Sequence, residues 1–147
     1  MKNIPFIIII LLTISCQSKL EKKLKSTKKI TVVAHRGASG YLPEHTLASK
    51  AMAHGMNADY IEQDIVLSKD DITIVINDIL LDDVTNVSEK YPNRKRVDGK
   101  YYVIDFTFEE LKNLEVTERF DSETGIQIYP KRFPKGTSSF RLHSLQD

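Results

Sequence analysis

The sequence predicts an α/β fold, and three observations predict it. Residues 30–34 are apolar (Ile30, Val32, Val33, Ala34, with Thr31), and polar residues arrive only at their carboxyl end, which is the pattern of a short buried parallel strand. A glycine-bearing loop follows, and from Pro43 onward Leu47, Ala48, Ala51 and Met52 recur at helical spacing until Gly55, where a helix would stop. Two further β-rich runs, residues 59–67 and 72–76, come next, so strand, loop, helix and strand follow one another as in a βα unit.

The chain starts differently. Met1, Lys2 and Asn3 make a short basic start, and residues 4–14 are nearly all apolar but too few to span a bilayer, as in a signal peptide. Cys16, the only cysteine, follows Leu12, Thr13, Ile14 and Ser15, an order that resembles a bacterial lipobox. Residues 1–16 therefore read as an export signal. Lipid on Cys16 would hold the protein on a membrane of the bacterial cell envelope, facing the periplasm; secretion into the periplasm is the alternative. Residues 17–29 carry six lysines and Glu21 with no aromatic residue, a solvated tether in preference to a lipid- or nucleic-acid-binding arm. Residues 1–29 take seven lysines and one acid. The +1 of the whole chain thus becomes −5 for residues 30–147, with 14 basic against 19 acidic residues. An acidic domain argues against a nucleic-acid partner and suits a bound cation.

Within residues 30–147, the strand at 30–34 runs directly into His35, Arg36 and Gly37, which pairs a proton carrier and an anion-binding guanidinium at a strand's carboxyl end. The helix that begins after Pro43 would point its free N–H groups at the same loop, so these and Arg36 could meet around one anion. In the run 59–67, taken as one strand, alternation puts Glu62 and Asp64 on one face with Val66. Lys69, Asp70 and Asp71 form a polar turn, and the third run closes on Asn77 and Asp78. Residues 81–100 are polar and loop-like. Thr107 and Glu110 form a capping box, with Phe106 and Leu111 placed as its hydrophobic staple. Residues 129–136 are irregular and basic, 140–143 strand-like, and 144–147 resemble a helix cap with its first turn, as if a helix continued beyond them.

Two carboxylates in an apolar strand need a cation or a basic partner, and their hard oxygens suit Ca²⁺ or Mg²⁺ better than zinc. A divalent metal is the economical answer, and two solvent-facing acids on an edge strand are the alternative. His45, His54 and His143 read as surface residues without a ligand role, although His45 lies close to the loop.

His35-Arg36-Gly37, Pro43-Glu44-His45-Thr46, Glu62-Gln63-Asp64 and the strand closing on Asn77-Asp78 stand in the order of the motifs of glycerophosphodiester phosphodiesterases, and the chain resembles that family from about Thr31 to its last residue. Residues 101–107 are similar to the insertion of its periplasmic, calcium-dependent branch, which would occupy about 81–143. The resemblance implies the amino-terminal part of a (β/α)8 TIM barrel, incomplete in this chain, since such a barrel takes ~250 residues. It implies His35 as one of two catalytic histidines, Arg36 on the substrate phosphate, Glu44 as a polar member of the site, and Glu62 and Asp64 on a metal, Ca²⁺ with Mg²⁺ as the alternative. The implied reaction hydrolyses small-molecule glycerophosphodiesters to glycerol 3-phosphate and an alcohol. Where the family's second histidine would stand, this chain has Asn77, an amide that neither takes up nor releases a proton near neutral pH. The expectation is an enzyme by descent, impaired by Asn77 and an unfinished barrel. A non-catalytic envelope lipoprotein binding glycerophosphodiesters or a surface partner is the second expectation. A remnant that never folds stably, its strand edges unpaired, is the third.

Overall fold

A computed structural model describes residues 30–121, 123–129, 132–133 and 139–147. The expected signal peptide with Cys16 and the expected tether, residues 1–29, lie outside the described residues, as does most of the basic stretch 129–136. Val32–Asp147 form one unit by their contacts.

β1 (Val33–Ala34) leads through the loop 35–46 into α1 (Leu47–Gly55), and β2 (Tyr60–Ile61) returns parallel to β1 with Val33 opposite Tyr60 and Ala34 opposite Ile61. α1 starts where it does because Thr46 caps it: its hydroxyl accepts the Ser49 N–H at 3.1 Å and donates to the Pro43 carbonyl at 2.8 Å. Gly55 is its last residue, as the spacing predicts. The buried face differs from expectation. Ser49 and Ala53 are buried, whereas Leu47, Ala51 and Met52 are exposed, and Ser49 lies against Gly37 of the preceding loop.

The strand predicted at 30–34 is shorter and less covered than its sequence suggests. Ile30 is 84% exposed and Val33 56%. A parallel strand is buried only when both faces are covered, and among the described residues β2 is the only strand paired with β1.

The run 59–67 is two strands. The chain leaves β2 after Ile61 and enters β3 (Ile65–Leu67), which pairs antiparallel with β4 (Thr73–Val75) across the expected Lys69–Asp71 turn. The Glu62 N–H still donates to the Ala34 carbonyl at 3.0 Å, and the Asp64 carbonyl accepts from the Ile76 N–H at 3.1 Å. Residues 62–64 thus bridge two ladders of opposite sense, which alternation along one strand cannot reveal.

Residues 81–100 are also more than a polar loop, because Leu81, Val84 and Val87 are fully buried. With Ile74, Ile76, Tyr101, Val103, Phe106, Leu111, Leu114, Val116 and Leu142 they make the hydrophobic core. Their segments are short: α2 (Val87–Lys90), a 3-10 turn at Val103–Asp105 and α3 (Phe108–Leu111), tied by single bridges such as Leu80 with Tyr102 and Thr85 with Val116. Such pieces are too short for a hydrophobic period to emerge. The capping box is formed as expected, with reciprocal Thr107 and Glu110 bonds, and both staple residues, Phe106 and Leu111, are fully buried. Residues 141–145 run beside β4, where the Val75 N–H donates to the His143 carbonyl at 3.1 Å.

Candidate functional site

The loop after β1 lies directly against the start of α1. Gly37 permits this. Its φ is +85°, and a Cβ there would stand 2.5 Å from Ser49 Oγ and 2.9 Å from the Ser49 carbonyl carbon. The Ala38 N–H donates to the Ser49 carbonyl at 3.0 Å and the His45 N–H to the Arg36 carbonyl at 3.0 Å, so the loop is closed at both ends.

Closure gathers the charged residues. Arg36 donates its backbone N–H to Glu62 Oε2 at 2.8 Å, and its Nη1 to both Glu44 oxygens at 3.0 and 3.1 Å. Its Nε, buried and without a hydrogen-bond partner, lies 3.8 Å from Asp64 Oδ2. The expected meeting of helix N–H groups with Arg36 around an anion does not describe this arrangement: Thr46 takes the Ser49 N–H and Glu44 takes the guanidinium.

A second guanidinium grips the same carboxylate. Arg119 donates Nη2 to Glu44 at 2.7 Å and Nη1 to Asp78 at 2.8 Å. It thereby ties the end of β4, where Asn77 sits half-buried, to the loop that carries His35. Burial pushes the Glu44 carboxyl up, but the Arg119 and Arg36 guanidiniums outweigh it and hold the group below its ordinary value. Burial in turn pushes Arg119 down, and its bonds to Glu44 and Asp78 carry it above the usual guanidinium range. Nothing in the sequence marked Arg119, which stands beside Glu118 in a mixed stretch; its partners lie 75 and 41 positions away. His35, exposed, lines a cavity of about 200 Å³ together with Arg36, Glu44, Arg119 and Tyr129.

On the other side of Arg36, Glu62, Asp64 and His45 converge, with one ligand atom from each lying within 4.8 Å of the others. His45 corrects its expected surface placement. It is 4% exposed at φ +59°, with Nε2 3.1 Å from Asp64 Oδ2 and a partnerless, buried Nδ1. Burial pushes its imidazole below the ordinary value against the pull of Asp64, Glu44 and Glu62. His143 is also buried, 6% exposed, with Nε2 2.9 Å from the His45 carbonyl oxygen. His54 is exposed in the last turn of α1, as expected. Two carboxylates and an imidazole at this spacing, half-buried or buried, fit a divalent cation.

The model of the glycerophosphoryl diester phosphodiesterase family matches residues 35–147. A glycerophosphodiester phosphodiesterase of Haemophilus influenzae is 52% identical over 127 residues, covering 85% of this chain and 34% of that protein. One of Treponema pallidum is 49% identical over 118 residues, covering 79% of this chain and 33% of that protein. The crystal structure of a glycerophosphodiester phosphodiesterase from Agrobacterium tumefaciens superposes with a TM-score of 0.56 at 28% identity, over 80% of this chain and 40% of that one. The chain spans about a third of the length of these curated relatives. Its α/β elements are part of a (β/α)8 barrel.

Proposed function

Because the chain belongs to the glycerophosphoryl diester phosphodiesterase family, we propose that its site takes glycerophosphodiesters and hydrolyses them to glycerol 3-phosphate and an alcohol. The observation that carries this reading is the meeting of the His35–Arg36 loop with Glu62, Asp64 and Glu44 at the strand ends.

Arg36 binds the substrate phosphate, with Glu44 and Arg119 holding its guanidinium in place. Glu62 and Asp64 hold a divalent cation, Ca²⁺ with Mg²⁺ as the alternative, which when bound neutralises charge on the phosphodiester. His35 lines the cavity beside Arg36, where its imidazole moves one proton, from the attacking water or to the leaving oxygen. Asn77 supplies no partner for the other transfer. That substitution favours a second reading, in which the site binds glycerophosphodiesters with little turnover.

Glycerophosphocholine tests the first reading on the full chain in Ca²⁺, followed by choline release and thermal unfolding. We expect stabilisation by the ligand, slow release, and loss of release in His35→Ala. Stabilisation with no release supports the binding reading; neither effect at millimolar ligand overturns both.

An envelope location is also proposed, on residues 1–16 alone. Metabolic labelling with palmitate should mark the protein, and label retained in Cys16→Ser would contradict anchoring at that residue.

A further inference from the structure

We infer that Arg132 is a positioning residue for the His35–Arg36 loop, pinning the middle of that loop to the segment that carries Glu118 and Tyr129 on the far side of the cavity. This rests on the reading of the site given above and adds to it a residue outside the cavity lining.

The loop is closed at its ends by the N–H bonds of Ala38 and His45. Midway along it, the Ser39 and Gly40 carbonyls accept from Arg132, Nη2 donating to Ser39 at 2.8 Å and Nη1 to Gly40, across 93 and 92 positions of sequence. Packing does not hold this stretch, since among the described residues nothing lies within 4 Å of where a Cβ at Gly40 would stand. Ser39 passes the constraint on, because its hydroxyl donates to the His35 carbonyl at 2.8 Å. Arg132 is thereby linked through Ser39 to the backbone of His35.

The other half of the clasp is buried. Glu118 is 4% exposed, and a carboxylate at that depth requires a cation. Arg132 Nε supplies it at 2.7 Å. The Glu118 N–H donates to the Phe133 carbonyl and the Arg132 N–H to the Tyr129 carbonyl, each at 3.2 Å, so the backbone is placed along with the side chain. The guanidinium also lies over the Tyr129 ring, 4.1 Å from its centre. Ser39, Glu118 and Tyr129 all line the cavity that holds His35 and Arg36. One guanidinium therefore sets the spacing of its two walls. A planar fork of five donors can serve a carboxylate and two carbonyls together, whereas an ammonium on a flexible stem has no such fixed directions.

The test compares the full chain with Arg132→Lys, which keeps the charge, and Arg132→Met, which removes it. Two signals are read: the ring resonances of His35 by NMR, with the exposed His54 as reference, and stabilisation against heat by glycerol 3-phosphate. In both variants the His35 resonances should move while those of His54 stay in place, and the glycerol 3-phosphate midpoint should rise ~10-fold. A role confined to holding residues 118–133 together would lower Tm and move neither signal. His35 resonances unmoved in Arg132→Lys, or a midpoint unchanged in both variants, overturn the inference and leave the reading of the site standing. No stabilisation of the unaltered chain by glycerol 3-phosphate overturns the reading of the site, and the His35 resonances then decide the clasp alone. Arg132→Lys settles the matter even if Arg132→Met fails to fold.

Discussion

Asn77→His, placed in this chain fused to the part of the Haemophilus influenzae relative that lies beyond the match, should raise choline release from glycerophosphocholine by ~10²–10⁴-fold, the usual worth of a positioned acid or base. Phosphodiester cleavage needs a proton removed at the attacking oxygen and one delivered at the leaving oxygen. In the proposed reading His35 serves one of these, and an amide serves neither. The substitution should need little rearrangement, because the neighbouring Asp78 is pinned to Arg119 at 2.8 Å and Ile76 bonds to the Asp64 carbonyl, which fixes the backbone around position 77. The rate should also gain a second ionisation, turning a one-sided pH profile into a bell. No gain in rate would contradict the proposal that Asn77 limits turnover.

The second large effect concerns stability. Glu44→Ala should destabilise the fold by ~3–5 kcal/mol, the cost of leaving mostly buried charge without its partner. Glu44 lies between Arg36 and Arg119, and the three side chains are 13%, 20% and 18% exposed. Its removal sets two guanidiniums facing each other with no anion between them. Arg119 keeps Asp78, so adding Arg119→Met to Glu44→Ala should recover part of the loss, by relieving the repulsion at Arg36. Urea unfolding measures both variants. A loss below ~1 kcal/mol for Glu44→Ala would place the cluster with ordinary surface ion pairs.

Features governed by near neighbours were legible in the chain. Thr107 and Glu110 are three residues apart and cap α3 as their spacing demands, and Gly55 closes α1 for an equally local reason. The His35–Arg36 loop, the turn at Lys69–Asp71 and the gathering of Glu62 with Asp64 could be read the same way. What failed depended on distant partners. His45 was read as a surface residue because helical spacing around Thr46 says nothing of a ring directed toward Asp64, 19 positions on. The core at Leu81, Val84 and Val87 was hidden because short irregular segments have no period, and their burial comes from Leu111, Leu114 and Val116.

The stretch His35-Arg36-Gly37 with its carboxylates, and the amide at position 77, belong to the sequence by itself: the chemistry is in the side chains, and their order marks the family. Tertiary structure alone decided that Glu44 is shared by two guanidiniums, that residues 62–64 cross between ladders of opposite sense, and that His45 turns toward the carboxylates. Electrostatic partners are chosen by distance in space, and a chain closes such distances only after its hydrogen-bonded loops and buried core are in place.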